Sequence, residues 1–125
     1  MKFDNDKPLW TQLVDEFSRQ IASGQWQPGQ GITSVRTLAL ELGVNPNTVQ
    51  KALAELERQG LAFPERTTGR FVTTDEERIK ALQHQYATRA TTNFIHQIRG
   101  LGMQKDQALD LLTRHWSDTD KDNNE

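Results

Sequence analysis

Three polar side chains in one short segment have the chemistry to recognise DNA bases. Asn47, Gln50 and Lys51 lie within VNPNTVQKALAELERQG, which spans residues 44–60. Asparagine and glutamine can form paired hydrogen bonds with adenine, and lysine can reach guanine or a phosphate. On a helix, Asn47 and Lys51 would share a face, with Thr48 and Gln50 to either side. The segment therefore has the side chains of a DNA-reading helix.

The same segment carries the signals of a helix with one buried side. Asn45 is a capping residue, and Pro46 has the fixed φ that suits a first helical turn. Val49, Leu53 and Leu56 recur at helical spacing and would bury the side opposite the polar residues. This pattern predicts a polar helix start that is held to a core by its other face.

The sequence before this segment predicts two further helices. Residues 8–23 repeat apolar side chains every fourth position, residues 25–32 form a loop with Pro-Gly turn chemistry, and residues 34–42 form a short helix capped by Thr33. Two short helices joined by a tight turn are typical of a helix-turn-helix, although an ordinary helical hairpin has the same spacing. In a helix-turn-helix, Ser34 and Arg36 would be placed to contact the DNA backbone or the groove edge.

Two short apolar runs follow the predicted recognition helix. Residues 61–63 and 70–73 flank the sequence PERTTG, in which Gly69 supplies a permissive backbone. Arg66 and Arg70 lie on either side of the tip. A bare hairpin of this kind is usually a solvated turn, but a hairpin directly after a helix-turn-helix is a wing.

The last part of the chain predicts a long helix, about residues 75–98, and a final helix over residues 105–116. The apolar stripe is larger than one short helix can cover, so we expect a second protomer to bury it. The alternative is that the stripe packs back onto the winged helix of its own chain. The side chains assigned to the dimer interface are Ile79, Leu82, Tyr86, Phe94, Ile98, Leu109, Leu112 and Trp116.

The sequence predicts a mainly α fold with a small β wing, in three regions. Residues 1–74 form a winged helix-turn-helix domain, residues 75–116 a two-helix dimerisation region, and residues 117–125 a disordered polar tail. The C-terminal helices could also enclose an apolar pocket for a small-molecule effector near Tyr86 and Trp116, with Phe94 between them. Aromatic residues at helical spacing more often form core, and the sequence does not identify a ligand.

Composition excludes several classes of protein. The 125 residues include no cysteine, so the chain has neither disulfides nor thiolate metal sites. No apolar run is long enough to span a bilayer, and the start, MKFDNDKPLW, has acidic residues where a signal peptide needs basic and apolar ones. The three histidines are too far apart in sequence for a compact metal site, and no phosphate-binding loop is present. We expect a cytoplasmic protein that is not an enzyme and has no cofactor.

Charge alone argues against nucleic acid, since the net charge is −2. The distribution of charge along the chain weakens this argument, because residues 30–73 carry five basic and four acidic side chains. DNA affinity would then depend on few phosphate contacts. A protein-interaction module with a winged-helix fold is the alternative that this charge leaves open.

Three segments together closely resemble the GntR family of bacterial transcription regulators. They are PLWTQLVDEFSRQIASGQWQPG, SVRTLALELGVNPNTVQKALAELERQGL and TGRFV, and the resemblance covers about residues 8–73. The phrase NPNTVQKAL, with only a short region after the wing, is similar to the YtrA subfamily, whose C-terminal part is two dimerising helices. The resemblance implies a homodimeric winged-helix repressor that binds a palindromic operator in double-stranded DNA and controls its own operon and transporter genes.

The resemblance also implies which residues contact DNA. By position they are Ser34, Arg36, Asn45, Asn47, Thr48, Gln50 and Lys51, with Thr68, Gly69 and Arg70 of the wing at the minor groove. The chain departs from the family pattern in two places. Ile32-Thr33 replaces the usual Leu-Pro, which should preserve the fold, and Thr67-Thr68-Gly69 replaces the usual Gly-x-Gly, so the wing tip is expected to be stiffer or differently shaped.

Overall fold

The computed structural model describes residues 2–67 and 69–123, and within them the chain forms five α-helices and three short β-strands. This is the mainly helical winged-helix class that the sequence predicts. In chain order the elements are α1 (Leu9–Ser23), β1 (Gly31–Ile32), α2 (Val35–Leu42), α3 (Pro46–Arg58), β2 (Ala62–Glu65), β3 (Gly69–Val72), α4 (Glu76–Gly100) and α5 (Lys105–Asn123).

The first three helices form because their apolar residues lie on one face. In α1, Leu13, Phe17 and Ile21 are buried at four-residue steps. α1, α2 and β2 all pack against α3. The core consists of Leu13, Phe17, Ile21, Leu38, Ala39, Val49, Ala52, Leu53, Leu56, Leu61, Ala62, Val72 and Leu82.

The cap of α2 differs from the predicted one. The hydroxyl of Ser34 accepts a hydrogen bond from the backbone N–H of Thr37 at 3.2 Å, so Ser34 rather than Thr33 is the N-cap. Both side chains are suitable caps, and the sequence alone does not fix which residue is the last one outside the helix.

The wing is larger than predicted, because the sheet has three strands in the order β1-β3-β2, all antiparallel. The predicted hairpin corresponds to β2 and β3, in which Phe63 is opposite Phe71. The predicted loop over residues 25–32 is too long, because its last two residues, Gly31 and Ile32, pair with β3. A two-residue strand is too short to show an alternating pattern, so its pairing depends on the position of β3.

The chain divides into two compact units, the first ending at Tyr86 and the second beginning at Ala87. The predicted boundary after residue 74 therefore differs from the division in the structure, which falls within α4. Leu82 is 3% exposed in the core of the first unit, and Ile79 and Tyr86 pack against that core. The assignment of Leu82 to a dimer interface is wrong, because its own chain buries it. Ile79 and Tyr86 are only partly buried, and their place in an interface stays a prediction. Helical periodicity identifies a buried stripe but not the surface that buries each turn.

α5 is also longer than predicted. It continues past Trp116 to Asn123, where we expected a disordered tail. The extra turns contain neither glycine nor proline, and the hydroxyl of Thr119 donates a hydrogen bond to the backbone oxygen of His115 at 3.0 Å. Asn124 and Glu125, the end of the predicted tail, lie outside the described residues.

Candidate nucleic-acid interface

α3 presents a polar surface at its N-terminal end because its opposite side is fixed in the core. Val49, Leu53 and Leu56 are buried at helical spacing against the other elements of the first unit. Thr48 is half-buried. Four of the residues predicted to contact DNA are exposed on this helix or its cap, namely Asn45, Asn47, Gln50 and Lys51.

The start of α3 has the electrostatics that favour a phosphate. The side-chain oxygen of Asn45 accepts a hydrogen bond from the backbone N–H of Asn47 at 2.8 Å, and Pro46 occupies the first turn. Pro46 has no N–H, and the N–H groups of Asn47 and Thr48 are both hydrogen-bonded to Asn45. The positive end of the helix dipole is therefore what favours an anion such as a DNA phosphate at this position.

Lys51 extends along α3 toward the start of α1. Its ammonium group lies over the indole ring of Trp10, 4.4 Å from the ring centroid. A cation over an aromatic face is attracted by the ring quadrupole. Lys51 remains exposed, so Trp10 holds its charge beside the polar face of α3 while the ammonium stays accessible to a phosphate. The sequence analysis did not identify this aromatic partner, because it comes from a different helix.

Arg70 flanks the wing tip at the start of β3, as predicted, but its side chain pairs with a residue of α3. Its Nε donates to Oε1 of Glu57 in α3 at 2.5 Å, and the two side chains are only 20% and 25% exposed. Val72, two residues later, is buried, and alternate residues of a strand share a face. Arg70 therefore projects toward α3, and this alternation is the signal that could have identified its partner from the sequence.

The tip of the wing is only partly described. Gly69 is exposed and has a φ of 97°, a left-handed conformation that favours glycine. Arg66 is also exposed beside the turn. Thr68, predicted to contact the minor groove, lies outside the described residues.

Ser34 and Arg36 lie at the start of α2, where the prediction placed backbone contacts. Both residues are exposed. The Ser34 hydroxyl caps the helix through Thr37 and lies 3.0 Å from the hydroxyl of that residue. Cap formation therefore fixes the Ser34 side chain at the helix start, while Arg36 extends from the first turn.

The two glutamates of α3 are each paired with an arginine. Glu57 pairs with Arg70, and Glu55 accepts a hydrogen bond from Nε of Arg58 at 2.8 Å. The hydrogen bonds from Arg58 and Gln59 lower the pKa of Glu55 to about 2. Pairing matters for DNA binding because an unpaired carboxylate near a phosphate is repelled, whereas these two are neutralised within the protein.

The second unit contains an apolar groove between α4 and α5 with a volume of about 490 Å³. Tyr86 belongs to the first unit, and neither it nor Trp116 lines the groove. Of the three aromatic residues predicted to surround an effector, only Phe94 lines this groove, and an effector site stays a prediction. The groove is lined by Thr91, Phe94, Ile95, Ile98, Arg99, Met103, Gln104, Lys105, Ala108, Leu109 and Leu112.

The described part of the chain has neither a candidate metal site nor a candidate membrane span. Residues 2–67 and 69–123 contain no group of His, Asp and Glu side chains placed to hold a metal ion. No helix in these ranges is long and apolar enough to cross a membrane.

Most of the first unit matches a known protein family. Residues 9–72 match the family described as bacterial regulatory proteins, gntR family. A solved GntR family transcriptional regulator from Listeria monocytogenes is 37% identical, with a TM-score of 0.80, and the match covers 90% of this chain and 98% of that one.

Two further proteins are similar over the N-terminal half. The transcriptional repressor YtrA of Bacillus subtilis is 37% identical over 65 residues, which are 52% of this chain and 50% of YtrA. The DNA-binding domain of AraR, solved in complex with operator ORR3, is 30% identical with a TM-score of 0.52, covering 58% of this chain and 88% of that one.

Proposed function

The chain belongs to the GntR family of bacterial regulatory proteins and is a DNA-binding transcription regulator of that type, and we propose that it acts as a dimeric repressor. Two copies of α3 would enter successive major grooves of a palindromic operator, one in each half-site. Asn47, Gln50 and Lys51 contact the base edges, and Ser34 and Arg36 contact the backbone. The observation that carries the proposal is the exposed polar start of α3 opposite its buried stripe.

Dimerisation is supported by the surface of the second unit. The exposed large apolar side chains of this unit are Ile95, Leu101, Leu109, Leu112 and Trp116. Of these, Ile95, Leu109 and Leu112 line the groove between α4 and α5. Clustered apolar side chains of this size are typical of a protein interface. A second copy of the same two helices would bury them, and two-fold symmetry would then pair the two α3 helices with the two halves of a palindrome.

The proposal includes membership of the YtrA subfamily. About half of the chain is similar to the repressor YtrA, and α4 and α5 follow the wing within the described residues. We further propose that the operator lies in the promoter of the protein's own operon and that transporter genes are among its targets.

Titration of the chain with its own upstream DNA at several salt concentrations tests the DNA-binding proposal. Each phosphate contact releases counterions, so the logarithm of the binding constant should fall linearly with the logarithm of the salt concentration. Binding should be selective for the upstream fragment over random DNA. Selective binding to another protein, with no DNA binding, would instead favour the protein-interaction module.

A double substitution tests the dimer. Leu109→Glu with Leu112→Glu places two charges on the exposed apolar surface, and sedimentation should change from dimer to monomer without loss of helix content. Leu40→Glu is the matched control, since Leu40 is exposed on α2 in the first unit. A dimer that survives the double substitution would contradict the proposed interface.

A further inference from the structure

Arg70 joins the wing to the recognition helix at two points. Its Nε donates to Oε1 of Glu57 at 2.5 Å, and its Nη1 lies 3.4 Å from Oε1 of Gln50. The short ion pair fixes the guanidinium, and the longer contact places the Gln50 side chain against it. Gln50 is one of the residues that the proposed function assigns to base recognition.

The geometry follows from two periodicities. Glu57 lies seven residues after Gln50, which is two helical turns, so both side chains leave α3 on the same face. Arg70 shares the face of β3 that carries the buried Val72, and that face is turned toward α3. One arginine can therefore reach both residues.

The contact determines which end of the Gln50 amide points outward. Arginine has N–H donors and no acceptor, so the amide atom that faces it is the carbonyl oxygen. The NH₂ group then points away from Arg70. A glutamine that binds adenine bidentately turns both ends of the amide to one base edge, the oxygen to accept from N6 and the nitrogen to donate to N7. An amide oxygen that is turned to Arg70 does not point at that edge. Guanine offers two acceptors, O6 and N7, to which an NH₂ group alone can donate.

We propose that Arg70 is a positioning residue that sets the base preference of Gln50, turning it from adenine to guanine. This proposal rests on the proposed function, because it concerns a base contact in the operator. Arg70 acts through Gln50 and does not itself touch the base. The basis is the placement of one guanidinium between Glu57 and Gln50, in an arginine that the sequence analysis had assigned to the minor groove.

Selection from a library of random DNA duplexes tests this proposal with the full chain and four variants. Arg70→Met removes both contacts, and Arg70→Lys keeps a positive charge for Glu57 but loses the planar fork that reaches Gln50. In both variants the ratio of adenine to guanine at one position of each half-site should rise about tenfold, the order of one bidentate contact. Gln50→Ala should remove the preference at that position.

Arg58→Met is the matched control, since it also removes an arginine paired with a glutamate of α3. It should leave the preferred base unchanged at every position. Melting temperature checks that each variant is folded, and the Arg70→Lys chain supplies the result even where Arg70→Met is unstable.

The outcomes separate the two proposals. A preferred adenine at the Gln50 position in the unchanged chain, or the same base preference in all Arg70 variants, would overturn the positioning role alone. A uniform loss of affinity across all sequences in both Arg70 variants would also overturn it, because Arg70 would then be a backbone contact. If the unchanged chain selects no DNA sequence at all, both the proposed function and the positioning role of Arg70 are overturned.

Discussion

The two units of the chain differ in how they bury apolar side chains. Every buried residue of the core lies in the first unit. There the core is formed by side chains of α1, α2, α3, the sheet and the start of α4. In the second unit, none of the described side chains is buried, and Leu109 and Trp116 are 52% and 69% exposed. Two helices alone cannot enclose a core. The first unit therefore has the core of an independent domain, whereas the second requires another surface to cover it.

The largest expected effect compares matching substitutions in the two units. Leu53→Ala removes a fully buried side chain from α3 and should lower the free energy of unfolding by about 2–5 kcal/mol. Leu109→Ala removes an exposed one and should cost less than about 0.5 kcal/mol at low protein concentration. Urea unfolding at two protein concentrations measures both.

The concentration dependence is the informative part of that experiment. If a second copy covers Leu109, the cost of Leu109→Ala should grow as protein concentration rises, because dimerisation stabilises the folded chain by mass action. The loss of stability caused by Leu53→Ala, relative to the unchanged chain, should not change with protein concentration. If the stability loss depends on protein concentration in the same way for both variants, the proposal that a second copy covers Leu109 is contradicted.

The second prediction concerns the exposed face of the first unit. Gln50→Ala should weaken base discrimination at one operator position by about 1–3 kcal/mol, because one base contact is lost. Arg36→Ala should instead weaken binding to all sequences alike, since a backbone contact carries no sequence information. Competition binding with operator variants distinguishes them. Loss of thermal stability in both variants would mean that these side chains support the fold rather than bind DNA.

The third prediction tests the last residue of the first unit. The Tyr86 hydroxyl donates to Oδ1 of Asp15 at 2.9 Å, and the guanidinium of Arg19 lies 4.6 Å from the ring centroid. Tyr86→Phe removes the hydrogen bond and should cost about 1 kcal/mol. Thermal or urea unfolding near neutral pH measures the loss. Tyr86→Phe removes only the hydroxyl, so the ring still packs as before. An unchanged stability would show that this contact does not help to hold α4 on α1.

The same hydroxyl predicts a dependence on pH. Burial and the interaction with Asp15 raise the pKa of Tyr86 above its usual value of about 10. The folded state therefore favours the protonated phenol, so this contribution to stability is fully present below about pH 10 and is lost as the pH rises through the higher folded pKa. Tyr86→Phe should remove this alkaline decline, which unfolding between neutral and alkaline pH would detect.

The smallest expected effect is at the Glu55–Arg58 pair on the exposed side of α3. Arg58→Met should raise the pKa of Glu55 from about 2 toward its ordinary value, because the first cause of the shift is the hydrogen bond from Arg58. The stabilisation is present above the ordinary pKa of glutamate and is lost as pH falls toward 2. An NMR titration of the Glu55 carboxyl measures the shift. The urea midpoint near neutral pH should barely move, since exposed ion pairs contribute little.

The helices of the first unit could be predicted from the sequence because each carries its own local signals. Four-residue apolar steps define α1, and Asn45 with Pro46 marks the start of α3. β1 could not be predicted, because a strand of two residues exists only through its pairing with β3. The cap at Ser34 was missed by one residue for a similar reason, since two adjacent side chains are both capable of the role.

Side-chain partners were harder to predict than exposed faces. The polar face of α3 followed from its periodicity, but the partners of Lys51 and Arg70 come from other elements of the fold. Leu82 belongs to the same apolar stripe as Ile98, yet it is buried in the core of the first unit. A sequence pattern identifies which side of a helix is apolar and leaves open what covers it.

The most direct test of the account is the number of chains bound to one selected operator. DNA selected from a random library by the full chain should contain two inverted half-sites, about 10 base pairs apart from centre to centre or a multiple of that distance. Sedimentation of the complex should then give two chains per duplex, and the Leu109→Glu, Leu112→Glu variant should lose affinity for the paired site. One chain bound to a single asymmetric site would contradict the account.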